Sequence, residues 1–208
     1  MKKDHKAKHY VLAVVLIVVA VLLDQYTKYL AVTNLKDKPA FVLWDKVFEL
    51  TYLENRGAAF GLLQNRQLFF ICIAVVIFVF ILYCYIRIPK TGKYLPLRLC
   101  GIFIVAGAAG NLIDRIRFGY VVDFFYFRLI DFPVFNVADI YVTVSFAVLL
   151  LLVFFQYKEE DLEFFWKKER NQCRWRIKYY RRGNLSVNGS TDSFPANWKS
   201  FPVLIFRG

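Results

Sequence analysis

The sequence predicts an all-α polytopic membrane protein, four transmembrane helices with a small sheet on the outer side. Three observations predict it. Hydrophobic residues make up 58 % of the 208 residues and aromatics 19 %, more than a water-soluble domain of this length usually carries. Four apolar stretches can each cross a hydrocarbon core of about 30 Å, which takes roughly 20 helical residues. The net charge of +12 is gathered in short segments between and beyond those stretches, as in membrane proteins oriented by their basic loops.

The first span, Tyr10–Val32, opens with an unbroken apolar run to Leu23 and is preceded by Lys2, Lys3, Lys6 and Lys8. A basic region before an apolar run also resembles a signal peptide. No small-x-small cleavage site follows, and the run leads directly into Asp24-Gln25-Tyr26-Thr27-Lys28, so it reads as an uncleaved anchor. The second span, Leu68–Ile88, carries no charge between Leu68 and Ile86. Arg87, Lys90, Lys93 and Arg98 crowd the turn into the third, Leu95–Ile113, and a larger basic set follows the fourth, Val137–Tyr157. Short basic flanks stay in the cytoplasm, which places both termini inside and the connections 33–67 and 114–136 outside. In those connections Phe41–Trp44, Phe48–Tyr52 and the alternation Phe125, Phe127, Leu129 read as short strands of one small sheet.

Several chemistries are excluded. Histidine occurs only at His5 and His9, in the basic N-terminal flank, so the common histidine triads and zinc sites lack a ligand in the body. Before the tail the only serine is Ser145, deep in span four, where Lys28 would not meet it as a dyad partner. Cys72, Cys84, Cys100 and Cys173 contain no Cys-x-x-Cys and read as apolar filling. No phosphate loop follows a strand, and the position of the basic groups argues against nucleic acid.

What remains is carboxylate, amide and a few cations, delivered by four segments to one face of the membrane. Intramembrane ionisable groups are costly and are functional candidates by default. Asp24 and Lys28, four apart, share a helical face and serve either as a structural ion pair or to orient a site. Glu54-Asn55-Arg56-Gly57-Ala58-Ala59-Phe60-Gly61 is either a tight re-entry turn or a place where Asn55 meets a substrate backbone. Gly107-Ala108-Ala109-Gly110 gives span three a small-residue face for close helix packing. Asn111 and Arg115 follow on one face, and Arg115 either pairs with a carboxylate or marks the interface. Asp123 is flanked by Val122, Phe124 and Phe125, which predicts burial and raised proton affinity. Asn136 and Asp139 have the spacing of an N-cap and N3 pair, and a helix N-terminus favours an ionised Asp139. Capping and catalysis are compatible there.

These residues resemble the lipoprotein signal peptidase (signal peptidase II) family. The resemblance rests on Asp24-Gln25-x-Thr27-Lys28, on Asn55-x-Gly57-Ala58-Ala59-Phe60-Gly61, on Gly110-Asn111-x-x-Asp114-Arg115 with Gly119-x-Val121-x-Asp123-Phe124, and on Phe135-Asn136-x-Ala138-Asp139. The four blocks occur in the family's order and cover about residues 10–157. The resemblance implies four transmembrane helices with an extracytoplasmic β-cradle, no metal or organic cofactor, and sensitivity to globomycin-type peptides. It implies an aspartic endopeptidase of the bacterial cell membrane that cleaves diacylglyceryl-modified prolipoproteins just before the lipidated cysteine. The catalytic pair maps onto Asp123 and Asp139. Supporting residues map onto Asp24, Lys28, Asn55, Asn111, Arg115, Asn136 and Gly107, with Gly57 beside Asn55 in the same block. Implied partners are the prolipoprotein substrates and membrane lipids, with no nucleic acid and a monomeric enzyme.

The chain departs from the family in two places. Ser145 stands near a usual glycine, and the tail is longer. Residues 1–157 read as the peptidase domain and 158–208 as a cytoplasmic, basic-aromatic tail attracted to anionic lipid, in which the sequons at Asn184 and Asn188 carry no meaning. Two rival classes are a small proton-coupled transporter and a non-catalytic assembly factor. The first requires polar groups throughout the membrane depth, which the apolar spans two and four lack; the second requires that Asp→Asn changes be tolerated.

Overall fold

The computed structural model describes residues 2–57 and 66–165. These belong to one compact unit, Met1–Lys167; the other, Lys168–Gly208, lies outside the described residues. So do the expectations for Ala58-Ala59-Phe60-Gly61, Cys173, the Arg174–Arg182 segment and both sequons.

The elements run α1 (Lys2–Leu35), β1 (Phe41–Trp44), β2 (Phe48–Asn55), α2 (Gln67–Arg87), α3 (Leu95–Phe118), β3 (Val121–Tyr126) and α4 (Val137–Leu151). A π-helical turn, Leu152–Gln156, extends α4, and a 3₁₀ segment, Glu159–Phe165, follows. Among the described residues four helices are long and apolar enough to cross a membrane: Ala7–Leu35, Gln67–Arg87, Gly92–Phe118 and Val137–Gln156. Their outward faces carry large apolar side chains, such as Val18, Val76, Phe80 and Phe146, all about half exposed or more. So much contiguous apolar surface suits lipid rather than water.

The third helix runs further than the sequence reading put it. It ends at Phe118, not near Ile113, and so carries Asp114 and Arg115 on the same helix as Asn111, as the expected shared face of Asn111 and Arg115 requires. Arg115 and Arg117 occupy its last turn, and Gly119 closes it at φ 74°, a left-handed conformation that glycine adopts without steric cost.

α3 is the hub. Half of its most apolar stretch is buried, 50 % against 17 %, 0 % and 17 % for the other spans, and α1, α2 and α4 each pack on it. Its small residues permit this. A Cβ on Gly107 would run into the Ala138 carbonyl oxygen and lie 2.7 Å from Val142 Cγ2, so α3 and α4 meet backbone to backbone there. Gly107→Ala should therefore force the helices apart and lower stability by about 1–3 kcal/mol, the usual cost of overpacking, read as a fall in melting temperature in detergent. Gly101→Ala is the control, because its added Cβ would lie 3.6 Å from Ile81, an ordinary contact.

The sheet is antiparallel in the order β1-β2-β3. It covers the end of α1, where Ala31, Val122 and Phe124 are buried with Leu35, Leu50 and Val137 packed around them. β3 begins earlier than the aromatic alternation suggested: Val121–Tyr126 pair, whereas Arg128–Ile130 form a 3₁₀ turn. Two local constraints account for the difference. Gly119 starts the strand straight after α3, and Asp131, at φ 47°, turns the chain back so that Phe135 bridges Phe125.

Candidate active site

The polar groups of the site come from α1, β2, α3, β3 and the start of α4. Asn136 caps α4: its side chain accepts from the Asp139 amide at 3.0 Å, and Asp139 Oδ2 accepts from the Asn136 amide at 3.1 Å. This reciprocal box satisfies two of the amides that a helix start leaves unpaired. Asp24, from α1, accepts from a third, the Ala138 amide, at 2.9 Å.

Asp123 lies in β3 and is 1 % exposed. Asn55, opposite Val121 on β2, is its diagonal neighbour across the strand pair. Asn55 Nδ2 donates to Asp123 Oδ2 at 2.8 Å, and Asn136 Nδ2 donates to Oδ1 at 2.6 Å. Both amides are locked in orientation. Asn55 Oδ1 accepts from the Gly57 amide at 2.9 Å, and Asn136 Oδ1 is occupied by the cap. Burial first, and then the charge of nearby Asp139, push the Asp123 carboxyl up to about 7, while the two amide donors pull the other way.

Asp139 is held in the same manner. Asn111 Nδ2, from α3, donates to its Oδ1 at 2.7 Å. Asn111 in turn accepts from Lys28 Nζ at 2.9 Å. Lys28 is 3 % exposed and also lies 2.9 Å from both Asp24 Oδ2 and Asp114 Oδ2. Three ammonium hydrogens thus meet three acceptors. Gln25 Nε2 donates to Asp114 Oδ1 at 2.9 Å, and Asp114 Oδ2 accepts from the Val122 amide at 3.2 Å, which ties β3 to α3.

A cleft of about 400 Å³ opens over the two carboxylates, lined by Asn55, Gly57, Arg115, Asp123 and Asp139. Its remaining walls are the Phe132–Phe135 loop with Ile140, Thr143 and Val144. Of the residues singled out in the sequence, Asp24, Lys28, Asn111 and Asn136 stand behind this lining as hydrogen-bond partners, and Gly107 sits beneath at the α3–α4 contact. Arg115 makes no ion pair within 4 Å among the described residues. Its guanidinium lies 4.9 Å over the Phe70 ring, and its Nη1 reaches the Asn111 carbonyl at 3.5 Å.

Sequence reasoning gave Asp114 and Gln25 no role, although Asp114 falls three residues after Asn111 on one helical face. It also missed the apolar wall, for which the signal was Thr143, one turn beyond Asp139. Chemically the cleft offers two carboxylates on one lining, with the charge of Asp139 felt at Asp123.

The family model for Signal peptidase (SPase) II matches residues 16–155. A lipoprotein signal peptidase of Caldanaerobacter subterraneus subsp. tengcongensis is 46 % identical over 146 residues, 70 % of this chain and 97 % of that protein. One from Clostridioides difficile is 46 % identical over 144 residues, 69 % of this chain and 95 % of that protein. Among solved structures, a bacterial membrane enzyme determined by the in meso method at 2.3 Å superposes with a TM-score of 0.61 at 33 % identity, covering 68 % of this chain and 86 % of that one. A second, at 1.9 Å, gives 0.60 at 32 %, covering 70 % and 94 %. A family match across most of the chain, relatives aligned over nearly their whole length and a shared four-helix fold agree: the chain belongs to the signal peptidase II family and is a multi-pass bacterial membrane protease.

Proposed function

We propose that this chain is an aspartic endopeptidase that removes the signal peptide from diacylglyceryl-modified prolipoproteins just before the lipidated cysteine. The observation that carries the reading is the pairing of Asp123 and Asp139 on one cleft, each fixed by amides that are themselves fixed. Asp139 sits at the N-terminus of α4, where the helix favours a negative charge, and acts as general base on a water. Asp123, whose proton affinity is raised, keeps its proton and donates a hydrogen bond to the scissile carbonyl. The base takes the water's proton as oxygen attacks the carbonyl carbon. That proton passes to the departing amine as the C–N bond breaks. Asn55 and Gly57, at the rim, position the substrate chain. Arg115 balances the negative charge that grows on the carbonyl oxygen.

The reading sets the cleft at the extracytoplasmic face. Arg87, Lys90, Lys93 and Arg98 lie at the other end of the bundle, which basic loops keep inside. The apolar wall of Ile140 and Val144 on α4 faces the bilayer side, where the substrate's acyl chains hold the peptide at the depth of the carboxylates. The protein works as a monomer and needs no metal or organic cofactor.

Purified full-length protein incubated with a diacylglyceryl prolipoprotein should release the signal peptide and leave a product beginning at the lipidated cysteine. A globomycin-type peptide should block it. Equal cleavage of the unlipidated precursor, or none of either, would overturn the reading.

A further inference from the structure

At the end of the bundle away from the cleft lies a second cavity, about 350 Å³ and within the roughly 300–1,000 Å³ of ligand pockets. Its walls are Phe80 and Cys84 of α2 and Leu149 of α4, its floor is Leu97 and Gly101 of α3, and Phe165 closes it. It exists because α2 packs on α3, on the Glu159–Phe165 segment and, through Tyr85, on Tyr10 of α1, and has no substantial packing with α4. A slot is left between α2 and α4, floored by Gly101 of α3.

Cations stand around this slot. Arg87 is exposed at its mouth, with its guanidinium 4.5 Å over the ring of Tyr83, a lining residue, and its Nη1 donating to the Phe165 carbonyl at 2.7 Å. Among the described residues no carboxylate forms an ion pair with it. Arg98, near the start of α3, is 4 % exposed, donates to the Thr91 carbonyl at 3.3 Å, and likewise has no ion pair among the described residues. Lys93, by contrast, is compensated by Asp161 at 2.6 Å. An apolar slot flanked by two arginines that make no ion pair among the described residues fits a molecule with one anionic end and one hydrocarbon end.

We propose that the slot holds one acyl chain of an anionic phospholipid, with the headgroup phosphate on Arg87. An acyl chain gains little by leaving bilayer hydrocarbon for an apolar slot, so the chain supplies fit and the phosphate supplies preference. Guanidinium binds phosphate through charge-assisted, bidentate hydrogen bonds. The buried charge of Arg98 adds to the same field. The inference requires only that the protein sits in a membrane and is independent of the peptidase mechanism.

The test reconstitutes full-length protein in nanodiscs of neutral lipid with a trace of phospholipid carrying a diazirine on its acyl chain. The probe is made as phosphatidylglycerol and as phosphatidylcholine, and cross-linked peptides are mapped by mass spectrometry. Labelling around Phe80–Cys84 and Leu149 should favour phosphatidylglycerol about fivefold, the preference that one basic group at an anionic surface confers. Arg87→Gln should erase the preference, and Gly101→Leu should remove the slot labelling. Labelling of the lipid-facing Val14 and Val18 on α1, unchanged in both variants, reports that the fold and insertion are intact. Equal labelling by the two probes in the unmodified protein would overturn the proposal, as would a preference that survives Arg87→Gln. Displacement of the label by added prolipoprotein would assign the slot to substrate instead and also end it.

Discussion

Replacing Asp123 or Asp139 by asparagine should stop prolipoprotein cleavage, with rates falling at least about 10²–10⁴-fold, the range that a general acid or base contributes. The geometry also sets a second expectation. At Asp123 both carboxylate oxygens accept from amide NH₂ groups that cannot turn, because Asn55 is held by the Gly57 amide and Asn136 by its capping role. An asparagine there must set NH₂ against NH₂ on one side. Asp123→Asn should therefore also lose about 1–3 kcal/mol, the penalty for a buried donor left unpaired, while remaining folded by circular dichroism. Substantial turnover by either variant would remove the paired-acid mechanism.

The raised Asp123 carboxyl gives this site a defined pH signature. Its folded value, about 7, lies above the ordinary carboxylate value of about 3.9. Between those two limits the folded protein holds a proton that the unfolded chain has released, so stability contributed by this group declines as pH rises from about 4 to about 7. The contribution is fully present below the lower limit and gone above the upper. In the proposed mechanism the proton donor is the same group, so cleavage rate should fall on the alkaline side as pH passes through about 7. An alkaline limb that is absent, or that persists unchanged when Asp123 is replaced in a variant retaining residual activity, would contradict this.

The second large effect is expected at Lys28. This side chain is 3 % exposed and stands between Asp24 and Asp114, themselves 0 % and 1 % exposed. Lys28→Met leaves two buried carboxylates without their shared cation. Breaking a buried ion pair from one side typically costs about 3–5 kcal/mol, a large part of the marginal stability of a domain. Thermal unfolding in detergent should show the loss directly. Adding Asp114→Asn to Lys28→Met should recover part of it, because one of the stranded charges is then removed. A single variant as stable as the unmodified protein would mean that the ammonium is not what holds these carboxylates in place. Activity should fall with stability, because Lys28 also fixes Asn111, and Asn111 fixes Asp139.

Those two sites differ in how far the sequence announces them. The spans are legible because a helix in lipid must satisfy its own backbone and present apolar side chains on all sides, which leaves runs such as Tyr10–Leu23 unmistakable. The cap of α4 is legible for a similar reason: Asn136 and Asp139 interact within one turn, so their spacing is their geometry. The pair Asp24 and Lys28 is half legible. Its intrahelical contact follows from a four-residue spacing, but the third member, Asp114, arrives from another helix, and no spacing within α1 points to it. The same holds for Arg115, whose contact with the Phe70 ring depends on where α2 docks. β3 was misplaced because Phe125, Phe127 and Leu129 alternate as a strand would, while the controlling residues are the turn-formers Gly119 and Asp131 outside that alternation.

The cap of α4 has one more consequence. Asn136 completes the first helical turn and, with the same side chain, grips Asp123 on the neighbouring strand. The helix start and the support of Asp123 thus share one side chain, so Asn136→Ala should remove the cap of α4 and a donor to Asp123 Oδ1 together.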